Sequence, residues 1–394
     1  MFRPSTTVFH ILIVISVVHL LNDAISALIP AMFPILEQTL SLSYTDLGLI
    51  AFAANMTSSI MQPVVGWLTD HRPSPYALPA GLVFTMLGIV GLAFAPSFPI
   101  VIIAVVFAGI GSAVFHPEGS RVAYMAAGAR RGFAQSVYQV GGNAGQSLAP
   151  IITALVLVPL GQVGALWFTI PAATAVLLLI YVARWYASEL SRTASPPPAS
   201  RNGKERSERN KKVAFAVSLL IFFVFAQSWY RAGITNFYAF YAIEQYEFTI
   251  GRAEIYVFVF LAFATLGTFI GGPLSDKIGK RSVLFLSMAG AAPFSLLLPH
   301  VDSLLALPVL AVTGLILLTN ISVSVVYAQE LLPGKIGTAS GLIVGLAFGL
   351  GAIGSIAIGR FADAFGIGPT MTAVSFLPLL GIFALFLPKE EDFS

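Results

Sequence analysis

The chain has 394 residues, of which 57% are hydrophobic and 10% charged, against about 25% charged in an ordinary soluble domain. No water-soluble fold hides that much apolar surface, and the absence of cysteine excludes disulfides, thiolate metal sites and a cysteine nucleophile. The formal charge of +3 comes from basic residues in short turns between apolar blocks, a pattern of membrane topology and not the basic stripe of a nucleic-acid partner.

Crossing a hydrocarbon core of ~30 Å takes roughly 20 apolar residues. Blocks of that kind predict an all-α membrane protein with twelve transmembrane helices, at 8–36, 45–68, 76–96, 98–123, 132–157, 163–186, 213–243, 252–274, 282–299, 303–328, 336–361 and 368–388. The first block carries no small-residue cleavage signal and reads as a retained helix. Asp23 lies about fifteen residues into it, hence ~22 Å from its start, and is the only acid clearly inside the apolar zone. A charge near the bilayer centre costs roughly 2.5–3.5 kcal/mol, so such a group needs a reason. With His19 four residues earlier on the same face, Asp23 is a candidate proton carrier; the alternative is a polar contact pinning the helix to a neighbour. Asn22 beside it is a candidate substrate contact.

In the second span Asn55 and Gln62 stand seven residues apart on one face and are candidates for a substrate cavity or for helix packing. The span ends on Gly66-Trp67-Leu68-Thr69-Asp70, followed by Arg72. The fourth carries His116, Glu118 and Arg121 around Pro117, candidates for proton coupling, with Glu118 and Arg121 at the i,i+3 spacing of a pair whose alternation could sense protonation; the alternative is an interfacial ion pair. A metal reading of His116 with Glu118 is weak, because residues two apart diverge on a helix and no second His is expected nearby, so neither metal nor cofactor is predicted. In the fifth, Gln135, Gln139, Asn143 and Gln146 recur at helical spacing, a polar stripe that lines a substrate cavity, with Gln139, Asn143 and Gln146 as contacts, or else bonds a neighbouring helix; Gly141, Gly142 and Gly145 stand beside it for close packing.

Residues 189–212, with three consecutive prolines and mixed charges, predict a solvated, disordered linker between a six-helix bundle at 1–188 and another at 213–394. The seventh span offers Tyr230, Arg231, Asn236, Tyr238 and Tyr241, a mix of aromatic walls and donors suited to a drug-sized ligand. Arg231 suits an anionic substrate group or an outer lipid headgroup equally. Glu330, at the end of the tenth span, is a candidate gating residue.

The two halves repeat. The string Gly66 to Asp70 reappears as Gly272-Pro273-Leu274-Ser275-Asp276, and Arg131-Gly132-Phe133-Ala134 corresponds to Ile336-Gly337-Thr338-Ala339 at nearly the same offset. With the linker on the cytoplasmic side, only Arg231, Arg252 and Arg360 of the 21 basic residues fall in the outer half, which places both termini in the cytoplasm.

The run Gly272-Pro273-Leu274-Ser275-Asp276-Lys277-Ile278-Gly279-Lys280-Arg281 resembles the major facilitator superfamily signature G-x-L-x-D-[RK]-x-G-[RK]-[RK]. Its Asp is expected to accept from basic residues and a neighbouring helix N-terminus, as a cytoplasmic latch. The first copy, with His71-Arg72-Pro73-Ser74-Pro75, lacks the second glycine and the trailing basic pair, so its latch is expected to be the weaker. The strings His19-Leu20-Leu21-Asn22-Asp23, Gln62-Pro63-Val64-Val65-Gly66, His116-Pro117-Glu118-Gly119-Ser120-Arg121 and Tyr327-Ala328-Gln329-Glu330 resemble, together, the fosmidomycin resistance protein family. That resemblance implies two pseudo-symmetric bundles of the major facilitator fold, working as a monomer in a bacterial inner membrane. It further implies proton-driven export of fosmidomycin and other small organic compounds. A symporter or uniporter importing a small metabolite is the alternative, since sequence does not fix direction. An intramembrane enzyme has only His116 and Glu118 in its favour and is opposed by the repeat.

Overall fold

The computed structural model describes residues 6–42, 44–148, 152–192 and 203–388, and every regular element among them is helical. The first half builds α1 (Phe9–Ala31), α2 (Phe33–Leu40), α3 (Tyr44–His71), α4 (Ala77–Ala93), α5 (Phe98–Ala126) and α6 (Arg131–Gln146), followed after short π and 3₁₀ turns by the helix Thr169–Arg192. Among the described residues, nine helices are long and apolar enough to cross a membrane. The three other expected spans fall on α3, α4 and α6.

The outward faces of these helices are apolar, which suits a lipid solvent. Their outward faces carry large side chains such as Phe84, Leu87, Phe107, Leu177 and Phe269, all exposed. In water such a coat would aggregate. The polar residues are instead turned inward, with His19, Asn22, Asp23, Gln62, His116, Glu118, Arg121 and Gln139 all buried.

The linker differs from its expectation at both ends. Residues 189–192 complete the helix Thr169–Arg192, and 203–212 open the 44-residue helix Gly203–Tyr246; only 193–202 lie outside the described residues. The helical start has a local cause in composition, since Lys, Glu and Arg are good helix formers.

Contacts group the chain into two units, one gathering the described residues of Met1–Ala129, Val137–Pro196 and Gly334–Gly345, the other those of Arg130–Ser136, Pro197–Pro333 and Leu346–Ser394. In the first, α5 packs against α3, α4 and α1, and Thr169–Arg192 packs against α1 and α4. In the second, Ile250–Ile278 packs against Ser303–Leu317, and Gly203–Tyr246 packs against Ile367–Ser375 and the 3₁₀ helix Leu377–Phe386. Each unit thus includes the first turns of a helix whose remainder belongs to the other. Glycine makes the seating possible: a Cβ on Gly66 would collide with the backbone of Gly337, and one on Gly272 with the backbone of Gly132.

Candidate functional site

The deepest polar cluster lies in the first unit, where α1, α5 and α6 meet. On α1 the i,i+4 spacing sets His19 above Asp23, with His19 Nε2 3.6 Å from Asp23 Oδ2. From α5, His116 Nε2 comes within 3.7 Å of the other carboxylate oxygen, Oδ1. Two amides complete the shell: Asn22 Nδ2 donates to Oδ1 and Gln146 Nε2 donates to Oδ2, each at 2.9 Å. All three ionisable side chains are at most 6% exposed.

Tyr138 of α6, absent from the sequence-based candidates, holds the His19 imidazole in place and bonds the backbone of His116. Its ring stacks on His19 with centroids 4.1 Å apart, and its backbone carbonyl accepts a 2.7 Å hydrogen bond from His19 Nδ1. Its hydroxyl donates to the His116 carbonyl at 3.4 Å. The only hint in the sequence is an aromatic residue set within the Gln135–Gln146 stripe; the role of a backbone carbonyl leaves no trace there.

The structure differs from the sequence reading on one ground for discounting a metal at His116, the expected lack of a second histidine. A second histidine is close by, since the His19 and His116 rings lie 5.2 Å apart, brought together by the packing of α1 on α5. One donor atom from each of His19, Asp23 and His116 lies within 4.8 Å of the others, wider than the separation of about 3.3 Å that zinc at ~2.0–2.1 Å from each ligand would impose.

Glu118 turns the opposite way from His116, as residues two apart on a helix must. Its Oε1 lies 2.9 Å from Arg121 Nε, and its Oε2 accepts from the Tyr186 hydroxyl at 3.2 Å. Arg121 Nη2 reaches on to Asp70 at 2.5 Å. Asp70 also accepts the backbone N–H groups of Gly337 and Thr338, at 3.0 and 2.8 Å, together with the Thr338 hydroxyl. A carboxylate there satisfies orphan donors at the start of the helix Ile336–Phe365 and complements its dipole.

The second copy repeats the arrangement. Asp276 accepts from Gly132 N–H and Phe133 N–H, both at 3.1 Å, at the start of α6. Gly279, at φ +84°, ends the preceding helix, and Lys280 behind it lies 3.1 Å from Glu330, which also pairs with Arg131 at 3.0 Å. Arg281 donates to the Leu385 carbonyl, while Arg72 and Lys277 are exposed. The two copies differ in their surroundings. Without the glycine and trailing basic pair the first still gives Asp70 a buried arginine, whereas Asp276 is exposed.

The remaining candidates do not converge on one place. Gln62 is buried and donates to Ser58, while Asn55 is exposed. Gln135 and Gln139 are buried and Asn143 half-buried. In the second unit Tyr230 and Tyr241 line a cavity of about 10 Å³ with Ile234, Tyr238, Pro299 and Met371, room for about one water molecule and far below the roughly 300–1,000 Å³ usual for drug-sized ligands. Arg231 is half-buried, and the exposed Asn236 donates to Ser355 at 2.7 Å.

Residues 15–353 match the model of the Major Facilitator Superfamily. The chain is 43% identical over 388 residues to the fosmidomycin resistance protein of Escherichia coli, covering 98% of this chain and 95% of that one. The chain belongs to the fosmidomycin resistance protein family of this superfamily. Like other major facilitator proteins it is a multi-pass membrane transporter of small molecules, not an enzyme. It is also 58% identical over 389 residues to the uncharacterized MFS-type transporter YfnC of Bacillus subtilis, covering 99% of this chain and 95% of that one. The major facilitator fold is shared with the E. coli fucose:proton symporter FucP, at a TM-score of 0.75, 15% identity, and coverage of 98% and 100% of the two chains. The proton:xylose symporter XylE is similar at a TM-score of 0.74 and 17% identity, covering 97% and 96%.

Proposed function

We propose that this transporter is a proton-coupled antiporter that exports small organic drugs, fosmidomycin among them, across the bacterial inner membrane, with both termini in the cytoplasm. The observation that carries the proposal is Asp23, a buried carboxylate on a membrane helix flanked by two imidazoles and two amides. A carboxylate so placed is expensive in lipid unless it is used, and proton traffic is its commonest use. The name of the E. coli relative supports the drug class.

In the cycle, Asp23 with His19 and His116 takes up a proton from the outside and releases it inward. His116 and the Glu118–Arg121 pair share α5, so a shift of α5 on protonation moves Arg121 relative to Asp70. The Asp70 and Asp276 caps, supported by Gly66, Gly272 and Glu330, act as gating contacts. Each proton that crosses gains about 2.3 kcal/mol per 100 mV, enough to sustain a useful gradient. Substrate contacts are assigned to Asn22, Asn55, Gln62, Gln139, Asn143 and Gln146 in the first unit and to Tyr230, Arg231, Asn236 and Tyr241 in the second. The transporter works as a monomer, without cofactor or nucleic acid.

Everted inner-membrane vesicles test direction and coupling together. Adding fosmidomycin to energised vesicles that hold the wild-type transporter should partly collapse the pH gradient, and Asp23→Asn should abolish that response. Substrate entry into intact cells down the proton gradient would establish the import alternative instead.

A further inference from the structure

Asp23 is surrounded by donors that suit an ionised carboxylate, whereas His19 presents a bare lone pair to it. The Asn22 and Gln146 amides, each at 2.9 Å, already donate to the two carboxylate oxygens. Hydrogen bonds of that kind favour the charged form of the acid. The His19 ring is fixed differently. A carbonyl only accepts, so the 2.7 Å contact with Tyr138 O requires the hydrogen of His19 on Nδ1. In the neutral ring Nε2 is then an acceptor. It is fully buried, and among the described residues it has no hydrogen-bond partner.

Nε2 thus faces Asp23 Oδ2 across 3.6 Å as one acceptor facing another. Only a proton between them removes the conflict. Charge-assisted N–H···O bonds run about 2.7–2.9 Å, so a proton on Nε2 would draw the two atoms together.

We propose that the transported proton resides on Nε2 of His19, with Asp23 as its ionised counter-charge and the Tyr138 carbonyl as the group that fixes the tautomer. The inference rests on the proton-coupled reading and names the atom that reading leaves open. The titratable groups facing the His19 ring are Asp23 on its own helix, His116 on α5 and the stacked Tyr138 on α6. With one proton on His19 the site is neutral, imidazolium against carboxylate. A second proton on His116 would leave an unbalanced buried charge, which is costly, so each cycle carries one proton through this site. The proton comes from water on the outer side and returns to water on the inner side; no other bond changes.

Infrared difference spectroscopy of the transporter in lipid, across the pH range that drives transport, tests the assignment, with the wild-type bands read first and the fold of each variant checked in parallel. The expected result is a ring band of imidazolium on acidification, lost in His19→Gln and kept in His116→Gln, with no protonated-carboxyl band that disappears in Asp23→Asn. A carboxylic acid band lost in Asp23→Asn, without an imidazolium signal, would overturn the proposal and leave the proton reading standing. No pH-dependent band from either group would overturn both. A measured ratio of two protons per substrate would contradict the one-proton consequence.

Discussion

Gly142 lies against Asp23 so closely that a Cβ on it would sit 2.9 Å from Oδ2 and collide with the His19 ring. Gly142→Ala therefore either pushes α6 off α1 or drives the two side chains apart. Overpacking of this kind costs about 1–3 kcal/mol. Thermal unfolding in detergent should show that loss, together with a loss of proton-driven transport. Gly351→Ala is the control, since the nearest atom, Ser228 O, is 3.9 Å from the new methyl, and it should leave both measurements unchanged.

Much of this neighbourhood was legible along the chain. Helical spacing alone paired His19 with Asp23 and Glu118 with Arg121, and the repeated Gly-x-x-x-Asp strings pointed to two equivalent caps. What spacing does not encode is which face of one helix meets which face of another. His116 and Gln146 reach Asp23 only through the packing of α5 and α6 on α1, so His116 was assigned to its sequence neighbours and Gln146 to the substrate. Tyr138 acts through a backbone oxygen, which every residue possesses. The linker misled for a local reason, because a charged, proline-bearing composition outweighed the helix propensity of Lys, Glu and Arg in its second half.

The two signature aspartates differ in what their loss removes. Asp70 is 2% exposed and balances Arg121, so Asp70→Ala leaves a buried guanidinium short of a partner. Breaking such a pair typically costs about 3–5 kcal/mol. Asp276→Ala removes an exposed helix cap, for which about 0.5–2 kcal/mol is usual. Side-by-side unfolding of the two variants should show the larger loss at Asp70.

Salt should separate the two copies as well. Glu330 is 26% exposed and Arg131 19%, so their pair is screened and is worth about 0.2–1 kcal/mol at low salt. Arg131→Gln, which leaves Glu330 its Lys280 partner, should destabilise slightly in dilute buffer, and the difference should vanish at high ionic strength. The effect of Asp70→Ala should persist there, because burial shields the Arg121 pair from ions.

Tyr186→Phe deletes the 3.2 Å hydrogen bond to Glu118 and leaves the ring in place. A hydrogen bond to a charged group contributes about 1.5–3 kcal/mol. The variant should unfold earlier by that amount while its proton-to-substrate ratio, measured in vesicles, stays at the wild-type value, because Tyr186 touches the latch and not the Asp23 cluster.

The most direct test is flux in proteoliposomes driven by an imposed pH gradient alone, wild type against Asp23→Asn, with stability of the variant checked in parallel. The wild type should move fosmidomycin against the direction of proton flow, and Asp23→Asn should move none above protein-free vesicles although it remains folded. Equal pH-driven flux through a folded Asp23→Asn protein would contradict the assignment of coupling to this cluster.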